Sequence, residues 1–195
     1  MNAALPIARW NRFIDRFTEA VDGWSQRPDL DRGASLLSDL VARDDWLPAP
    51  FALPDSRSYR QYLLHLDPRA RFSVVSFVWA AGQSTPIHDH CTWGLVGMLR
   101  GREASQDFHR RQGSLVAGGT QILHPGDVAV LDPETGDIHR VSNAAETASV
   151  SIHVYGGDIG RIERHIYTID GQRRSFVSDY STTHVPDDWP GSLPQ

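Results

Sequence analysis

Two histidines one residue apart, His88 and His90, close the segment Gly82-Gln83-Ser84-Thr85-Pro86-Ile87-His88-Asp89-His90. On an extended strand residues i and i+2 point to the same face, so both imidazoles can reach one ion. Pro86 stiffens the approach and Gly82 suits a sharp turn before it. A third histidine, His139, lies in Pro133-Glu134-Thr135-Gly136-Asp137-Ile138-His139-Arg140-Val141-Ser142-Asn143, again among turn-forming residues. Further on, Ser151, His153 and Tyr155 stand at i, i+2 and i+4 of an apolar run. A hydroxyl, an imidazole and a phenol so spaced on a strand can hydrogen-bond in series, fixing the phenol's position and the imidazole's tautomer. From the residues alone two plainer readings stay open. His88 and His90 can be turn histidines without a metal, and the Ser151 run can be a barrel strand whose polar groups are satisfied in the core.

These groups need a scaffold, and the chain changes texture along its length. Residues 5 to 45 read as helical: Trp10, Phe13, Ile14, Phe17, Ala20 and Val21 form one apolar stripe, and Leu36, Leu37, Leu40 and Val41 a second. Pro48, Pro50 and Pro54 end the helical pattern, and a short helix is expected around Ser58 to Leu66. Beyond residue 70, apolar runs alternate with Gly and Pro turn chemistry at a spacing of about ten residues, the pattern of a β-barrel or sandwich rather than βαβ units. The runs are Phe72 to Trp79, Leu95 to Leu99, Ser105 to His109, Gly113 to Val116, Thr120 to His124, Val128 to Leu131, Ile138 to Ser142, Ala148 to Tyr155 and Ile162 to Ile169. The expectation is a single domain over 1–195, with a mainly helical N-terminal layer (1–66), a β-barrel (70–179) and an extended tail (180–195) that holds Pro186, Pro190 and Pro194.

Composition narrows the function. The 195 residues hold 19 Lys plus Arg against 24 Asp plus Glu, a formal charge of −5, so the basic footprint of a nucleic-acid binder is missing. With 40% hydrophobic and 22% charged residues the chain reads as a soluble globular domain, and no apolar run reaches the length of a membrane span. Met1 to Trp10 carries one Arg and no apolar core, so no signal peptide is expected. A single cysteine, Cys91, excludes an internal disulfide and favours a reducing, cytoplasmic compartment. Cys91 reads as a small buried residue, and His65, His109, His124, His165 and His184 as structural or exposed.

The motif spacing also carries a resemblance. Gly82, five residues, His88-x-His90, three residues to Gly94 and six more to Gly101 resembles the first cupin motif. Gly126, Pro133, Gly136, His139 and Asn143 resemble the second, with one extra residue before the proline. The resemblance implies a mainly β fold, the cupin double-stranded β-helix or jelly roll, with a metal held in the barrel mouth by His88, His90 and His139. Most cupins carry a glutamate four residues after the second histidine, where this chain has Gly94. Three neutral imidazoles leave a divalent ion its full charge and open positions, which favours anionic ligands such as a thiolate.

That combination resembles the thiol dioxygenases, the family of cysteine dioxygenase and 3-mercaptopropionate dioxygenase, from about Tyr59 to Tyr167. The matching pieces are Pro86 to His90, Trp93-Gly94-Leu95, Ile138 to Asn143 and Ser151-Ile152-His153-Val154-Tyr155-Gly156. The resemblance implies one Fe(II) per chain and oxidation of a small carboxylated thiol by O₂ to its sulfinic acid. It implies a Ser151–His153–Tyr155 relay and a carboxylate clamp at Arg164. Gln61 stands where cysteine dioxygenases carry a substrate-binding arginine, with Arg60 adjacent as the alternative clamp. Gly94 stands where the mammalian type carries a crosslinked cysteine. Gln61 and Gly94 together point to 3-mercaptopropionate. The alternatives are cysteine or mercaptosuccinate as substrate, or a non-enzymatic cupin that binds a metal or small ligand. The expected partners are the thiol and O₂, with no nucleic acid and no membrane; oligomeric state leaves no mark in the sequence.

Overall fold

The computed structural model describes residues 4–25 and 27–181. Two helices lead the chain, α1 (Ala4–Asp22) and α2 (Leu30–Val41). Trp10, Phe13, Phe17 and Ala20 of α1 are buried along one stripe, and Leu36, Leu37, Leu40 and Val41 form the matching stripe of α2. Asp29 caps α2 by accepting the Arg32 N–H at 3.0 Å. Beyond it, the Trp46 indole N–H donates to the Leu40 carbonyl at 3.1 Å and ties down the helix end.

Among the described residues eleven strands follow: β1 (Arg60–Leu66), β2 (Phe72–Trp79), β3 (Ile87–His88), β4 (Gly94–Arg100), β5 (Glu103–Arg111), β6 (Ser114–Leu123), β7 (Val128–Leu131), β8 (His139–Asn143), β9 (Ser149–Gly156), β10 (Arg164–Tyr167) and β11 (Arg173–Phe176). They form a five-stranded sheet in the order β1-β2-β9-β4-β7 and a six-stranded sheet in the order β11-β10-β3-β8-β5-β6. Every strand pair in both sheets is antiparallel. This is the expected architecture: a mainly β double-stranded β-helix, a jelly roll carrying a small N-terminal helical layer.

The five-stranded sheet is apolar on both faces because both are covered. Phe72, Val74, Val78, Val150, Ile152 and Val154 pack with the helices, whereas Val75, Phe77, Trp79, Val96 and Tyr155 belong to a separate core inside the barrel. Strands buried on two sides lose the usual polar alternation, as the unbroken burial of β2 shows. The helical layer lies flush on the sheet at Gly97, where a Cβ would come within 2.8 Å of Leu37 Cγ.

Several sequence expectations need correction. Residues 60–66 form β1, not a helix, because Tyr62 and Leu64 alternate inward and the strand pairs with β2 from Arg60↔Val78 to Leu66↔Ser73. The hairpin closes at Asp67, whose carboxylate accepts the Arg69 and Arg71 N–H groups at 2.9 and 3.2 Å. The helical layer therefore ends before β1, which belongs to the barrel. The runs 113–116 and 120–124 belong to one strand, β6, which continues through Gly118-Gly119. β11, an exposed edge strand reading Arg-Arg-Ser-Phe, had no apolar signature to betray it. Cys91 is exposed at φ 54°, not buried. Of the extended tail, Tyr180 and Ser181 are placed, and residues 182–195 with His184 lie outside the described residues. Among the described residues no helix is long and apolar enough to cross a membrane.

Phe17 is fully buried, with its ring 5.0 Å from Phe72 and 6.4 Å from Trp93. Phe17→Ala is expected to lower unfolding stability by about 3–5 kcal/mol, read from the denaturant midpoint at unchanged slope. A loss under about 1 kcal/mol would show that the helical layer is not part of the cooperative core.

Candidate metal centre

The jelly roll brings the three histidines together by strand pairing. β3 and β8 are neighbours in register, with His88 directly opposite His139. His90 follows two residues later on the same side, while Asp89 between them turns the other way. The Asp89 carboxylate accepts from the His165 N–H at 2.8 Å and the Tyr167 hydroxyl at 2.6 Å, which pins the segment against β10. Thr85 completes the anchoring, its hydroxyl accepting the Val141 N–H at 3.0 Å.

The imidazoles of His88, His90 and His139 form a near-equilateral triangle, with ring centroids 4.8 to 4.9 Å apart. Each Nδ1 has a protein partner: the Pro86 carbonyl at 3.1 Å for His88, Asp137 Oδ2 at 3.3 Å for His90 and Ser105 Oγ at 2.9 Å for His139. A carbonyl can only accept, so His88 carries its proton on Nδ1 and turns the Nε2 lone pair inward. Asp137 Oδ2 also accepts the His90 backbone N–H at 2.8 Å, so it too acts as an acceptor and fixes His90 in the same tautomer.

The Nε2 atoms of His90 and His139 are sealed from solvent without a partner among the described residues. A buried acceptor left unpaired costs free energy, and a cation at the centre of the triangle removes that cost for both. Burial keeps the rings neutral: it lowers His88 to about 4 and holds His90 and His139 well below the ordinary histidine range, reinforced by their proximity to one another. Neutral rings with aligned lone pairs are what a metal requires, so the residues fit the group and these three histidines can hold a metal ion. The cluster contains no carboxylate. At Gly94 a Cβ would meet the Tyr155 ring at 2.9 Å, so Tyr155 takes the space that a side chain at that position would need.

Ser151, His153 and Tyr155 share the inward face of β9 and form a chain. Ser151 Oγ lies 2.8 Å from His153 Nε2, and His153 Nδ1 lies 2.8 Å from the Tyr155 hydroxyl. His153 stacks on Phe77 at 4.1 Å, and Tyr155 lies nearly parallel to His90 with centroids 5.5 Å apart. Burial depresses His153 to about 3 and pushes the Tyr155 phenol up, so both are neutral across the physiological range.

A cavity of about 200 Å³ opens beside the triangle. His88, His90, His139, His153, Tyr155, Arg164 and Gln61 all line it, and Ser151 sits behind His153. Arg164 is 3% exposed; its Nη2 donates to Ser178 Oγ, its guanidinium lies 4.8 Å from the Phe176 ring, and its Nε is unpartnered among the described residues. Arg60, by contrast, pairs with Asp55 and is absent from the cavity wall, so the geometry separates the two arginines that the sequence left as alternatives. Sequence reasoning missed Asp137, Ser105 and Tyr59. Asp137 stands two residues before His139, a carboxylate beside a metal-ligand candidate and thus a usable signal. Ser105 and Tyr59 carried none.

No family model matches the chain. Solved structures similar to it include an uncharacterized conserved protein with a double-stranded β-helix domain from Klebsiella pneumoniae (17% identity, 60% of this chain and 85% of that chain, TM-score 0.46). Others are a Cupin 2 conserved barrel domain protein from Salinispora arenicola (25%, 56% and 84%, TM-score 0.42) and a cupin-like protein from Thermotoga maritima (20%, 54% and 77%, TM-score 0.42). The fold and the triangle together define a double-stranded β-helix protein with a carboxylate-free, three-histidine centre able to hold a metal.

Replacing any one of His88, His90 or His139 by Ala is expected to reduce metal content from about one ion per chain to near none, measured by elemental analysis. Asp137→Ala should weaken metal affinity ~10–100-fold with the fold intact, because the His90 ring loses its orienting partner. Full metal occupancy in His139→Ala would remove that residue from the set.

Proposed function

We propose that this chain is a non-haem iron thiol dioxygenase that oxidises a small carboxylated thiol, with 3-mercaptopropionate the best fit, to its sulfinic acid. The observation that carries the reading is Arg164, a buried guanidinium unpartnered at Nε that shares one cavity with three convergent, neutral imidazoles. A buried cation needs an anion, and a metal held by neutral ligands keeps charge uncompensated. A thiol carboxylate answers both demands with one molecule, carboxylate to guanidinium and sulfur to metal. Iron bound at the triangle would supply the redox capacity, absent from zinc, that joins O₂ to sulfur. The overall change, RSH + O₂ → RSO₂H, takes all its electrons from the substrate sulfur and needs no outside reductant.

The chain's own groups bind and orient the substrate. Arg164 holds the carboxylate, with the Gln61 amide available as a neutral hydrogen-bond partner and Arg174 adding a second positive group to the wall. Phe77 and Trp79 give the wall apolar surface, and Phe176 lies against the Arg164 guanidinium at the carboxylate end. Among the described residues no Asp or Glu lines the cavity, so an α-ammonium finds no matched anion and must be desolvated. Cysteine is therefore expected to be a poorer substrate than 3-mercaptopropionate. Tyr155, kept protonated by burial, offers a neutral hydroxyl to the reacting groups, held in place by His153.

Steady-state kinetics of the iron-loaded protein on 3-mercaptopropionate, cysteine and cysteamine test this. The expected order of kcat/KM is as written, since cysteamine lacks the carboxylate. Arg164→Ala should raise KM for 3-mercaptopropionate ~10–100-fold, the worth of a charge-assisted bidentate contact, and leave cysteamine almost unchanged. A wild-type preference for cysteamine, or an equal loss on both thiols in Arg164→Ala, would overturn the clamp.

A further inference from the structure

The inward face of β9 does not start at Ser151. It reads Ser149, Ser151, His153, Tyr155, and at its inner end stands Glu103 of β5, 1% exposed. Ser149 Oγ donates to Glu103 Oε1 at 3.0 Å. Oε2 is sealed from solvent and has no hydrogen-bond partner among the described residues, and the Ser151 and Ser149 hydroxyls favour the ionised form against burial. A carboxyl group so fully enclosed is costly to bury, and the metal triangle does not use it.

We infer that Glu103 is the inner terminus of the Ser151–His153–Tyr155 chain and a positioning residue, whose protonation state sets whether Tyr155 donates or accepts in the cavity. The argument is one of donors and acceptors. A neutral imidazole has one N–H and one lone pair, and His153 is bonded at both nitrogens, so the chain can run in only two directions. With Glu103 ionised, Ser151 turns its hydroxyl hydrogen to the unpartnered Glu103 Oε2, His153 Nε2–H donates to Ser151, and Tyr155 donates to His153 Nδ1. The Tyr155 oxygen then turns lone pairs to the cavity. With Glu103 protonated, the acid donates to Ser151, Ser151 donates to Nε2, and Nδ1–H donates to the Tyr155 oxygen, whose hydrogen then points into the cavity.

The two arrangements differ by one proton. A proton given up by a thiol at the cavity enters on the Tyr155 oxygen, the Tyr155 hydrogen moves to Nδ1, the Nε2 hydrogen to Ser151, and the Ser151 hydrogen to Glu103. The thiol becomes thiolate and the carboxylate becomes acid, so charge and protons balance. The inference rests on the proposed place of Tyr155 beside the reacting groups. The direction of the chain, however, is a property of the protein without substrate.

Burial raises the Glu103 carboxyl to about 7, opposed only by the Ser151 and Ser149 hydroxyls. The groups around it from each element carry no competing charge. β9 supplies Ser149, Ser151 and, further along, the titratable His153 and Tyr155; β8 supplies Asn143 and β6 Leu123 as ladder partners. Phe77 and Trp79 of β2 and Met98 of β4 are the strand partners of the two serines, and Ser105 lies two residues on along β5 itself. Asn143 spends its amide hydrogens on the Trp79, Ala80 and Thr147 carbonyls. The carboxyl is therefore poised to exchange a proton near neutrality.

Ring ¹⁵N chemical shifts of His153 in the metal-free full chain, assigned by their loss in His153→Gln, report its tautomer directly. The wild type is expected to carry Nδ1–H below and Nε2–H above the Glu103 value of about 7. Glu103→Gln, which offers the same donor and acceptor atoms at every pH, should hold one tautomer on both sides of that value. An infrared carboxylic-acid band that titrates over the same range should vanish in that variant. A wild-type tautomer that does not change with pH overturns the inference, and this measurement needs no variant. A tautomer that changes identically in Glu103→Gln overturns it as well. None of these readings requires turnover, so a failed thiol assay would sink the proposed substrate without touching this result, and the reverse.

Discussion

Strand β9 lies between two cores, with Val150, Ile152 and Val154 under the helices and Ser149, Ser151, His153 and Tyr155 facing the barrel interior. Because water is excluded from both sides, every polar group on the inner face must find its partner within the protein. That requirement produces the hydrogen-bonded series from Tyr155 inward and fixes the Tyr155 ring beside His90. The helical layer, remote from any reacting group, is thus part of the site. Without that layer, the outer face of β9, with Val150, Ile152 and Val154, would be open to water as in an ordinary half-solvated strand.

The same exclusion of water sets the electrostatic character of the cavity. Burial keeps His88, His90 and His139 neutral, and the Asp137 carboxylate sits behind the ring of His90 as an orienting acceptor. Arg164 and Arg174 add positive charge to the wall, and no acidic side chain among the described residues offsets it there. A pocket that is net positive once a divalent ion is bound selects anionic ligands, and it does so more strongly because Arg164 and the three imidazoles are buried. Gly94 serves the same arrangement by omission, since a side chain there would collide with the Tyr155 ring.

Much of this was legible in the sequence where the signal was local. The His88-x-His90 pair and the Ser151, His153, Tyr155 alternation are period-two patterns, and a strand carries them to one face whatever its neighbours are. What depended on long-range pairing was not legible. Residues 60–66 read as a helix because Tyr62, Leu63, Leu64 and Leu66 suit either period, and the pairing with β2 decided the matter. Glu103 and Ser105 carry no local signal of their own, and the pairing that sets them opposite Asn143 and Val141 of β8 is long-range. The arginines were ambiguous for the same reason: Arg60 and Arg164 differ little in local context, and only the packed structure ties one to Asp55 and leaves the other in the cavity.

In the proposed function, the triangle, the cavity and Arg164 together put both atoms of dioxygen onto one sulfur. Turnover of 3-mercaptopropionate by the iron-loaded protein under ¹⁸O₂, with O₂ uptake recorded and the product weighed by mass spectrometry, tests it most directly. The account predicts one O₂ consumed per thiol and a sulfinate carrying label in both oxygens. Disulfide or peroxide as the product, or a sulfinate oxygen drawn from water, would contradict it.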